Sequence, residues 1–322
     1  NVTPDEIYFT SGGTEANNTA VLGIAEAYKK RGNKVITSNI EHPSVADSFK
    51  ELEARGFEVV TLNADEKGYI NLEELEREVD ENTILVSIMY VNNEVGTVQP
   101  IEKMAEIIKS KNKNCIFHTD CVQAFGKHPI NGKHFDAISV SGHKIHCPKG
   151  VGVLYLRKGV RAKNLHFGGG QEKGFRPGTE NTGSIVAMGL GAEIAKRDLE
   201  KNFEKVKAVK EKLMTICDIL PDVYVNGDSE NGSPYILNLS FEGVKGEVLL
   251  HALENYEIYV ATGSACSSRA KEKKKIVDYL IDGRGSSTVR FSFDCENTVE
   301  EAEKAIEVLK EQVPMLRMFQ PR

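Results

Sequence analysis

The feature that most restricts the fold is a regular alternation of short β-branched runs with amphipathic stretches over the first two-thirds of the chain. Strands that alternate with helices predict a mainly parallel sheet whose two faces are covered by helices. Several runs are apolar almost throughout, as burial on both faces requires. The predicted strands are 6–11, 34–40, 58–64, 83–91, 115–120, 136–141 and 150–156. We therefore predict an α/β fold with a mainly parallel, seven-stranded sheet between layers of helices.

The order of the elements changes in the last third of the chain. From about Ser184, a long polar-striped helix is predicted to run towards Ile219 and to carry the chain out of the first domain. The elements predicted beyond it are a strand, a helix, a strand and a helix at 235–241, 246–256, 288–293 and 299–313. This order indicates a smaller α+β domain. We predict a large domain over 1–200 and a small C-terminal domain over 201–322.

Composition narrows the classes of protein. The formal net charge of −6 gives no indication of direct binding to nucleic acid or to a membrane surface. No apolar run approaches the ~20 residues that span a bilayer. The six cysteines show neither a CxxC pair nor zinc-ligand spacing, which indicates reduced thiols and a cytoplasmic location. The chain starts at Asn1 rather than Met, with a strand-like pattern almost at once, so we expect that an N-terminal segment is missing.

A glycine turn, SGGTEANN at 11–18, lies between the first predicted strand and the first predicted helix. Gly12 and Gly13 allow a tight turn, Thr14 offers a hydroxyl, and the free N–H groups at a helix start attract a phosphate. The segment has neither the lysine of a P-loop nor the GxGxxG spacing. Taken alone, these residues are more typical of a plain glycine turn capped by Thr14, because two glycines before a helix are common.

Two further residues follow predicted buried strands. Asp120 ends the fifth strand, at the edge where open α/β sheets bind ligands, and a carboxylate there needs a partner. Lys144 follows the sixth strand, with Ser141 and His143 beside it. These features together match the cofactor pyridoxal 5′-phosphate (PLP). PLP forms a Schiff base with a lysine, pairs its protonated ring nitrogen with a carboxylate and places its phosphate on a phosphate-binding turn. Taken singly, Asp120 is equally a helix cap and Lys144 a solvated surface residue.

Eight segments occur in a fixed order along the chain: SGGTEANN, EHPSV, NNEVGTVQPI, HTDCVQAFGK, SGHKIHCPKGVG, GGGQEKGFRPGTEN, GSAC and TVRFSF. In these segments and in their order the chain resembles the NifS-like cysteine desulfurases, a group of fold-type I PLP-dependent transferases. Each segment alone is weak, whereas the ordered set is specific and covers essentially the whole chain. The resemblance implies PLP as cofactor and L-cysteine as substrate, which is converted to L-alanine.

The resemblance also implies a role for each matching residue. Lys144 binds the cofactor covalently, Asp120 holds the pyridinium nitrogen and His42 stacks on the ring. The other implied contacts are Asn93 (ring and substrate), Gln123 (ring), and Gly13, Thr14, Ser141 and His143 (phosphate). Thr179 reaches the phosphate of the neighbouring subunit, which makes the protein a homodimer. Arg290 pairs with the substrate carboxylate through a bidentate fork.

Isolated residues of these types also have plain structural interpretations. His42 stands before a proline and is typical of a turn, and Asn93 is placed to close a turn after the fourth strand. Arg290, on a predicted strand of the small domain, is also typical of a surface arginine. The interpretation as a site depends on all of these residues matching together.

Cys266 lies where the family carries its sulfur-accepting cysteine, and the small residues at 263–265 are typical of a loop that moves. The implied chemistry is attack of the Cys266 thiolate on the substrate sulfur, which leaves a persulfide for transfer to an acceptor. His42 is a candidate for exchanging the thiol proton. The lysine run at 271–275 is interpreted as a solvated helix start, with stabilisation of the thiolate or docking of an acidic partner as the alternatives.

Three points stay open. An Asn-Ala-Ala-Thr-type motif near the family's N terminus is absent from this sequence. The FRPGTEN segment, with Pro177, also occurs in selenocysteine lyases, so selenocysteine is an alternative substrate, and a catalytically inactive scaffold subunit is a more distant alternative. The sulfur acceptor is not identified, and an iron–sulfur scaffold protein and a tRNA-thiolation enzyme both fit.

Overall fold

A computed structural model describes residues 2–262, 276–280 and 283–318. Its contacts divide the chain into two compact units. The first unit comprises Asn1–Asn63, Ile70–Val91 and Gln99–Leu199, and the second comprises Ala64–Tyr69, Asn92–Val98 and Glu200–Arg322. The sequence pattern placed 64–69 and 92–98 in the large domain, whereas both segments group with the second unit.

Hydrogen bonds explain why the segment 92–98 groups with the second unit. The backbone N–H of Ser233 donates to the carbonyl oxygen of Gly96 at 2.8 Å. The side-chain amide of Asn238 donates to the carbonyl oxygen of Glu94 at 3.1 Å. Both donors lie far along the chain, so periodicity alone does not reveal this grouping.

The predicted seven-stranded sheet of the first unit is confirmed. Its strands are β1 (Ile7–Thr10), β2 (Lys34–Ser38), β3 (Glu58–Leu62), β4 (Thr83–Ser87), β5 (Ile116–Asp120), β6 (Ala137–Ser141) and β7 (Gly152–Leu156). They lie in the order β1-β7-β6-β5-β4-β2-β3, and β7 is antiparallel to both of its neighbours while the other pairs are parallel. The carboxyl ends of the parallel strands therefore meet at one edge of the sheet.

Helices pack on this sheet because their apolar residues recur at helical spacing. The helices of the first unit are α1 (Gly13–Tyr28), α2 (Pro43–Ala54), α3 (Leu72–Glu78), α4 (Ile101–Lys111) and α5 (Thr182–Arg197). Ala20 and Ile24 of α1 and Phe49 of α2 are buried in one cluster with Leu85 and Leu154 of the sheet. The middle parts of α1 and α2 are thereby packed against the sheet.

The second unit is an α+β structure. Its helices are α6 (Leu199–Met214), α7 (Ile216–Ile219), α8 (Gly246–Glu254), α9 (Ile276–Leu280) and α10 (Val299–Met318), and its strands are β8 (Val223–Asn226), β9 (Ile236–Phe241) and β10 (Thr288–Ser292). The strands form an antiparallel sheet in the order β10-β9-β8. Leu239 and Phe241 of β9 pack with Leu249 of α8 and Leu309 of α10. Among the described residues, no helix has the length and apolar character needed to cross a membrane.

The prediction of one long helix from Ser184 towards Ile219 is wrong. The segment forms three helices, α5 to α7, with interruptions at Asp198 and Thr215. Asp198 has φ −101° and ψ 8°, outside the helical region, and its carboxylate pairs with the neighbouring Arg197. Short polar side chains compete with helical backbone hydrogen bonds, which explains an interruption without glycine or proline.

Candidate active site

The glycine turn lies against the carboxyl end of the sheet. Thr10 of β1 and Ser141 of β6 are both paired with Gly152, the first residue of β7. A Cβ atom at Gly152 would come within 2.7 Å of the Gly12 backbone, so glycine at this position allows the close approach. A Cβ atom at Gly13 would lie 2.8 Å from the Val122 side chain.

The start of α1 is open to a ligand. Gly12 is its N-cap residue, and in this described segment no side chain caps the helix, so the interpretation of Thr14 as a cap is wrong. Thr14 is exposed, and the first α-helical bond runs from Ala16 N–H to the Gly12 carbonyl oxygen at 3.1 Å. The N–H groups of Gly13, Thr14 and Glu15 are consequently available to an anion, whereas that of Ser11 donates to the Glu15 carboxylate at 2.8 Å.

Two predicted phosphate ligands lie beside this turn. Ser141 ends β6, and its hydroxyl lies 2.7 Å from Nδ1 of His143. Burial lowers the pKa of His143, and the positive charges of Lys144, Lys149 and Lys127 lower it further. The concentration of cations around Ser141 and His143 is typical of a site for an anionic group.

Asp120 is buried at the carboxyl end of β5, as predicted. Its Oδ1 accepts a hydrogen bond from the Val122 backbone at 2.9 Å, and its Oδ2 accepts one from Nδ2 of Asn17 at 2.7 Å. Burial raises the pKa of the Asp120 carboxyl, while these two hydrogen bonds and the neighbouring His42 act to lower it. A buried carboxylate in this setting is stabilised by a bound cation.

His42 is more than a turn residue. It is the N-cap of α2, and its Nδ1 accepts a hydrogen bond from the Ser44 backbone N–H at 3.1 Å. Burial lowers the pKa of His42; the charge of Asp120 acts to raise it, and that of Lys144 to lower it. These effects show that the imidazole lies within electrostatic range of both residues.

The remaining predicted residues of the first unit are placed as follows. Lys144 is half-buried in a short 3₁₀ helix, Gly142–Ile145, directly after β6. Gln123 is half-buried, three residues after Asp120. Thr179 is exposed, three residues before α5 begins. The structure thus brings Gly13, Ser141, His143, Lys144, Asp120 and His42 to one edge of the sheet, and Gln123 follows in the same turn.

Three residues that the sequence did not single out also belong to this edge. Asn17 and Ser44 are buried and connect Asp120 to His42 through hydrogen bonds. Glu41 is buried, and its Oε1 accepts hydrogen bonds from the Ser38 hydroxyl at 2.5 Å and from the Met89 backbone at 2.9 Å. All three stand inside or next to quoted segments, SGGTEANN and EHPSV, which was the available signal.

The burial of Glu41 limits the negative charge at the site. Burial raises the pKa of its carboxyl to about 8, and the nearby charge of Asp120 acts in the same direction. The Glu41 carboxyl is therefore mostly protonated at neutral pH. Asp120 is left as the principal carboxylate for a cation at the end of β5.

Within the second unit, Asn93 and Arg290 lie together. Nη1 of Arg290, on β10, donates to the carbonyl oxygen of Asn93 at 2.9 Å. In the part of the chain that the structure describes, Nε of Arg290 and Oδ1 of Asn93 are buried without a hydrogen-bond partner. Burial lowers the pKa of Arg290, while the charge of Glu94 acts to raise it. Arg290 is thus not a solvated surface arginine, and its unpaired donor fits a carboxylate ligand.

The cysteines of the described residues are poor nucleophiles. Cys115 and Cys121 are fully buried. Burial raises the pKa of Cys115 to about 12 and that of Cys121 well above its ordinary value. Since the thiolate is the reactive form, neither thiol is activated. Cys266 and the lysine run at 271–275 lie outside the described residues.

Comparison with known proteins decides the family. Residues 1–305 match the family model for aminotransferase class-V. The chain belongs to the class-V aminotransferases. Within this family it is 44% identical over 316 residues to the "NifS/IcsS protein homolog" of Lactobacillus delbrueckii subsp. bulgaricus, covering 96% of this chain and 82% of that one. It is 40% identical over 328 residues to "Cysteine desulfurase IscS" of Clostridium botulinum, covering 100% of this chain and 82% of that one.

Solved structures of similar proteins show the same fold. A structure titled "NIFS-LIKE PROTEIN" superposes with a TM-score of 0.91 at 38% identity, covering 98% of this chain and 84% of that one. A NifS-like protein from Rickettsia africae superposes with a TM-score of 0.84 at 28% identity, covering 96% and 82%. The predicted resemblance to NifS-like proteins and the predicted fold class are thereby confirmed.

Proposed function

We propose that the protein is a PLP-dependent cysteine desulfurase, which converts L-cysteine to L-alanine and keeps the sulfur as a persulfide on Cys266. The observation that carries the proposal is the buried Asp120 carboxylate, which lies at the end of β5 and is connected to His42 through hydrogen bonds of Asn17 and Ser44. Lys144 acts on the same imidazole. This arrangement, in a family whose named relatives include cysteine desulfurases, matches the chemistry of sulfur removal from cysteine.

The residues present fit PLP. The buried Asp120 carboxylate suits a protonated pyridine nitrogen, and the uncapped start of α1 with Ser141 and His143 suits a phosphate. We assign Lys144 to the covalent link, His42 to the face of the ring, and Gly13, Thr14, Ser141 and His143 to the phosphate. Asn93 and Gln123 are assigned to the ring and its oxygen. When bound, PLP supplies an electron sink for the electron pair that stays on Cα when its proton leaves.

The chain's own residues carry the remaining chemistry. Asp120 holds the proton on the ring nitrogen, and Arg290 pairs with the substrate carboxylate. Lys144 takes the Cα proton as a general base, and a proton returns to Cα before alanine leaves. The Cys266 thiolate attacks the substrate sulfur, the carbon–sulfur bond breaks, and its electron pair stays on the carbon, which a proton completes to the methyl group of alanine. Sulfur thus passes to Cys266, and an acceptor protein such as an iron–sulfur scaffold or a tRNA-thiolation enzyme is assigned to receive it.

Replacing Asp120 by asparagine is expected to lower the rate of alanine formation from L-cysteine by roughly 10²- to 10³-fold, because asparagine keeps the shape of the side chain and removes its negative charge. The measurement is alanine released by protein reconstituted with PLP. Asp47→Asn serves as the control, because Asp47 is exposed on α2 yet its charge also acts on His42. Equal rates in the Asp120→Asn variant and the parent protein would refute the assignment of this carboxylate.

The surface of α5 supports a homodimer. Val186, Leu190 and Ile194 recur at a spacing of four residues, with exposed fractions of 72%, 58% and 41%. Such a stripe gains stability when a second copy covers it. Thr179, which we assign to the phosphate of the neighbouring subunit, lies just before this helix.

Leu190→Asp is expected to weaken the dimer, because the substitution places a charge at the centre of the apolar stripe. Light scattering coupled to size-exclusion chromatography measures the mass of the parent and the variant. Val248→Asp is the matched control, since Val248 is an apolar residue of α8 with 46% exposure. A monomeric parent, or a variant that dimerises as tightly as the parent, would contradict this interface.

The cysteines support the proposed location in the cytoplasm. Cys115, Cys121, Cys147, Cys217 and Cys295 are all free thiols. Structural disulfides form in oxidising compartments, and reduced cysteines persist in the cytoplasm.

A further inference from the structure

A chain of short hydrogen bonds connects the two groups that we assign to the cofactor ring. Asn17 Nδ2 lies 2.7 Å from Asp120 Oδ2 and 2.9 Å from the Ser44 hydroxyl. The Ser44 hydroxyl lies 2.7 Å from Nδ1 of His42. Asn17 is 1% exposed and Ser44 is 9% exposed, so water does not compete for these bonds.

The partner of His42 Nδ1 determines which ring nitrogen carries the proton. A backbone N–H group only donates, and the Ser44 N–H lies 3.1 Å from Nδ1. Nδ1 must therefore offer its lone pair, and the proton of the neutral ring resides on Nε2. In the described part of the chain, both hydrogen-bonding partners of the imidazole lie at Nδ1.

Asn17 determines the direction of the next hydrogen bond. With the amide rotated by half a turn, its oxygen would face the Asp120 carboxylate at hydrogen-bonding distance, acceptor against acceptor. The nitrogen therefore faces Asp120, and its two hydrogens go to Asp120 and to the Ser44 hydroxyl. Because the Ser44 oxygen accepts from Asn17, its own hydrogen is free to point at Nδ1 of His42.

We propose that Asn17 and Ser44 are positioning residues that fix the protons of the site, holding His42 neutral with its hydrogen on Nε2 and Asp120 as an ionised acceptor. The proton on Nε2 of His42 follows from the contact with the Ser44 backbone, the orientation of Asn17 follows once Asp120 is ionised, and the meaning of both for catalysis rests on the proposed function.

The arrangement restricts what His42 does in the resting enzyme. An imidazole with its hydrogen on Nε2 donates from that nitrogen, which matches a thiolate or another anion. It accepts a proton only at Nδ1, where Ser44 already supplies two donors. Resting His42 can therefore donate a hydrogen bond from Nε2, and its only accepting nitrogen is already occupied, so it is a poor base for removing a thiol proton.

Charged neighbours also affect the protonation of His42. The charges of Asp120 and Asp47 favour a protonated His42, and that of Lys144 disfavours it. Burial disfavours the charged form and is the largest effect. Ser44 adds to burial, because hydrogen bonds donated to Nδ1 stabilise the neutral ring.

The test of the His42 arrangement is nitrogen-15 NMR of the imidazole in the full chain, with and without PLP. We expect Nδ1 to be unprotonated and Nε2 protonated in the parent at neutral pH. In Ser44→Ala the midpoint of the His42 titration shifts to higher pH, because one donor to the neutral ring is lost. Ser44→Thr, which keeps a hydroxyl, returns the midpoint towards that of the parent.

The control for this test is Ser48→Ala. The Ser48 hydroxyl donates to the Ser44 carbonyl oxygen at 2.8 Å, one turn further along α2. It belongs to the same helix and does not contact His42, so the midpoint stays where the parent has it. A proton on Nδ1 in the parent, or equal midpoints in Ser44→Ala and Ser48→Ala, overturns the proposal.

The role of Asn17 is tested by titrating the Asp120 carboxyl group, which carbon-13 NMR monitors. Asn17→Ala removes a donor to the carboxylate, so its midpoint shifts to higher pH. Asn18→Ala is the matched control, because Asn18 Nδ2 donates to the Ser44 carbonyl oxygen at 2.9 Å without contacting Asp120. Equal midpoints of the Asp120 titration in the two variants overturn the proposed role of Asn17. Neither titration needs turnover, so a parent that forms no alanine refutes the proposed function and leaves these results intact.

Discussion

Replacing Lys144 by alanine is expected to lower the rate of alanine formation from L-cysteine by roughly 10⁴-fold or more, because the residue that we assign as both covalent anchor and base at Cα is lost. Lys144 follows β6 in the short 3₁₀ helix Gly142–Ile145, so its backbone is fixed by the end of the sheet. The measurements are alanine released per minute and the visible absorbance that remains after dialysis of PLP-loaded protein. The variant is expected to lose the cofactor on dialysis, whereas the parent keeps it.

Lys149→Ala is the control for this substitution. Lys149 is exposed, and like Lys144 its charge acts on the pKa of His143. The control therefore separates loss of local positive charge from loss of the anchoring amine. Alanine formation by Lys144→Ala at a rate near that of Lys149→Ala would contradict the assignment.

Replacing Cys266 by alanine is expected to abolish sulfur removal from L-cysteine while leaving the bound cofactor and its absorbance unchanged. The reason is that, in the proposed function, the carbon–sulfur bond breaks when the Cys266 thiolate attacks the sulfur. Cys295→Ala is the control, because Cys295 is a free thiol whose pKa is raised by burial and by the charges of Asp294 and Glu296. Alanine and sulfide are measured together.

The same variant separates the two candidate substrates. A selenolate leaves more readily than a thiolate, so a selenocysteine lyase needs the thiol less. We expect the parent to prefer L-cysteine, and Cys266→Ala to lose L-cysteine turnover to a greater extent than L-selenocysteine turnover. A parent that acts on L-selenocysteine alone, with no loss in the variant, would favour the lyase.

The seven strands of the first unit were predictable because each is a β-branched run bounded by turn residues. Strand β8, Val223–Asn226, was missed although β1 is equally short. The residue before this strand, Asp222, has a positive φ of 56° and starts no turn motif that is recognisable in the sequence. The pairing of β8 with β9 forms by tertiary contact, which a local pattern does not report.

The candidate site was predictable to the extent that each residue stands in a motif. Asp120 and Lys144 follow buried strands, and topology then brings the strand ends together. Asn17 and Ser44 were not predictable, because their contacts depend on how α1 packs against α2. Asn17 and Ser44 are 27 residues apart in the sequence, and no periodic pattern relates the two positions.

The most direct test of the central claim follows the sulfur atom. PLP-loaded protein is mixed with one equivalent of L-cysteine without reductant. The mass of the peptide that contains Cys266 is then measured by mass spectrometry, and the alanine formed is quantified. The proposed function predicts one alanine for each sulfur atom gained at Cys266, and neither product in Lys144→Ala. Alanine formed without sulfur on Cys266, or no alanine from protein that holds PLP, would contradict it.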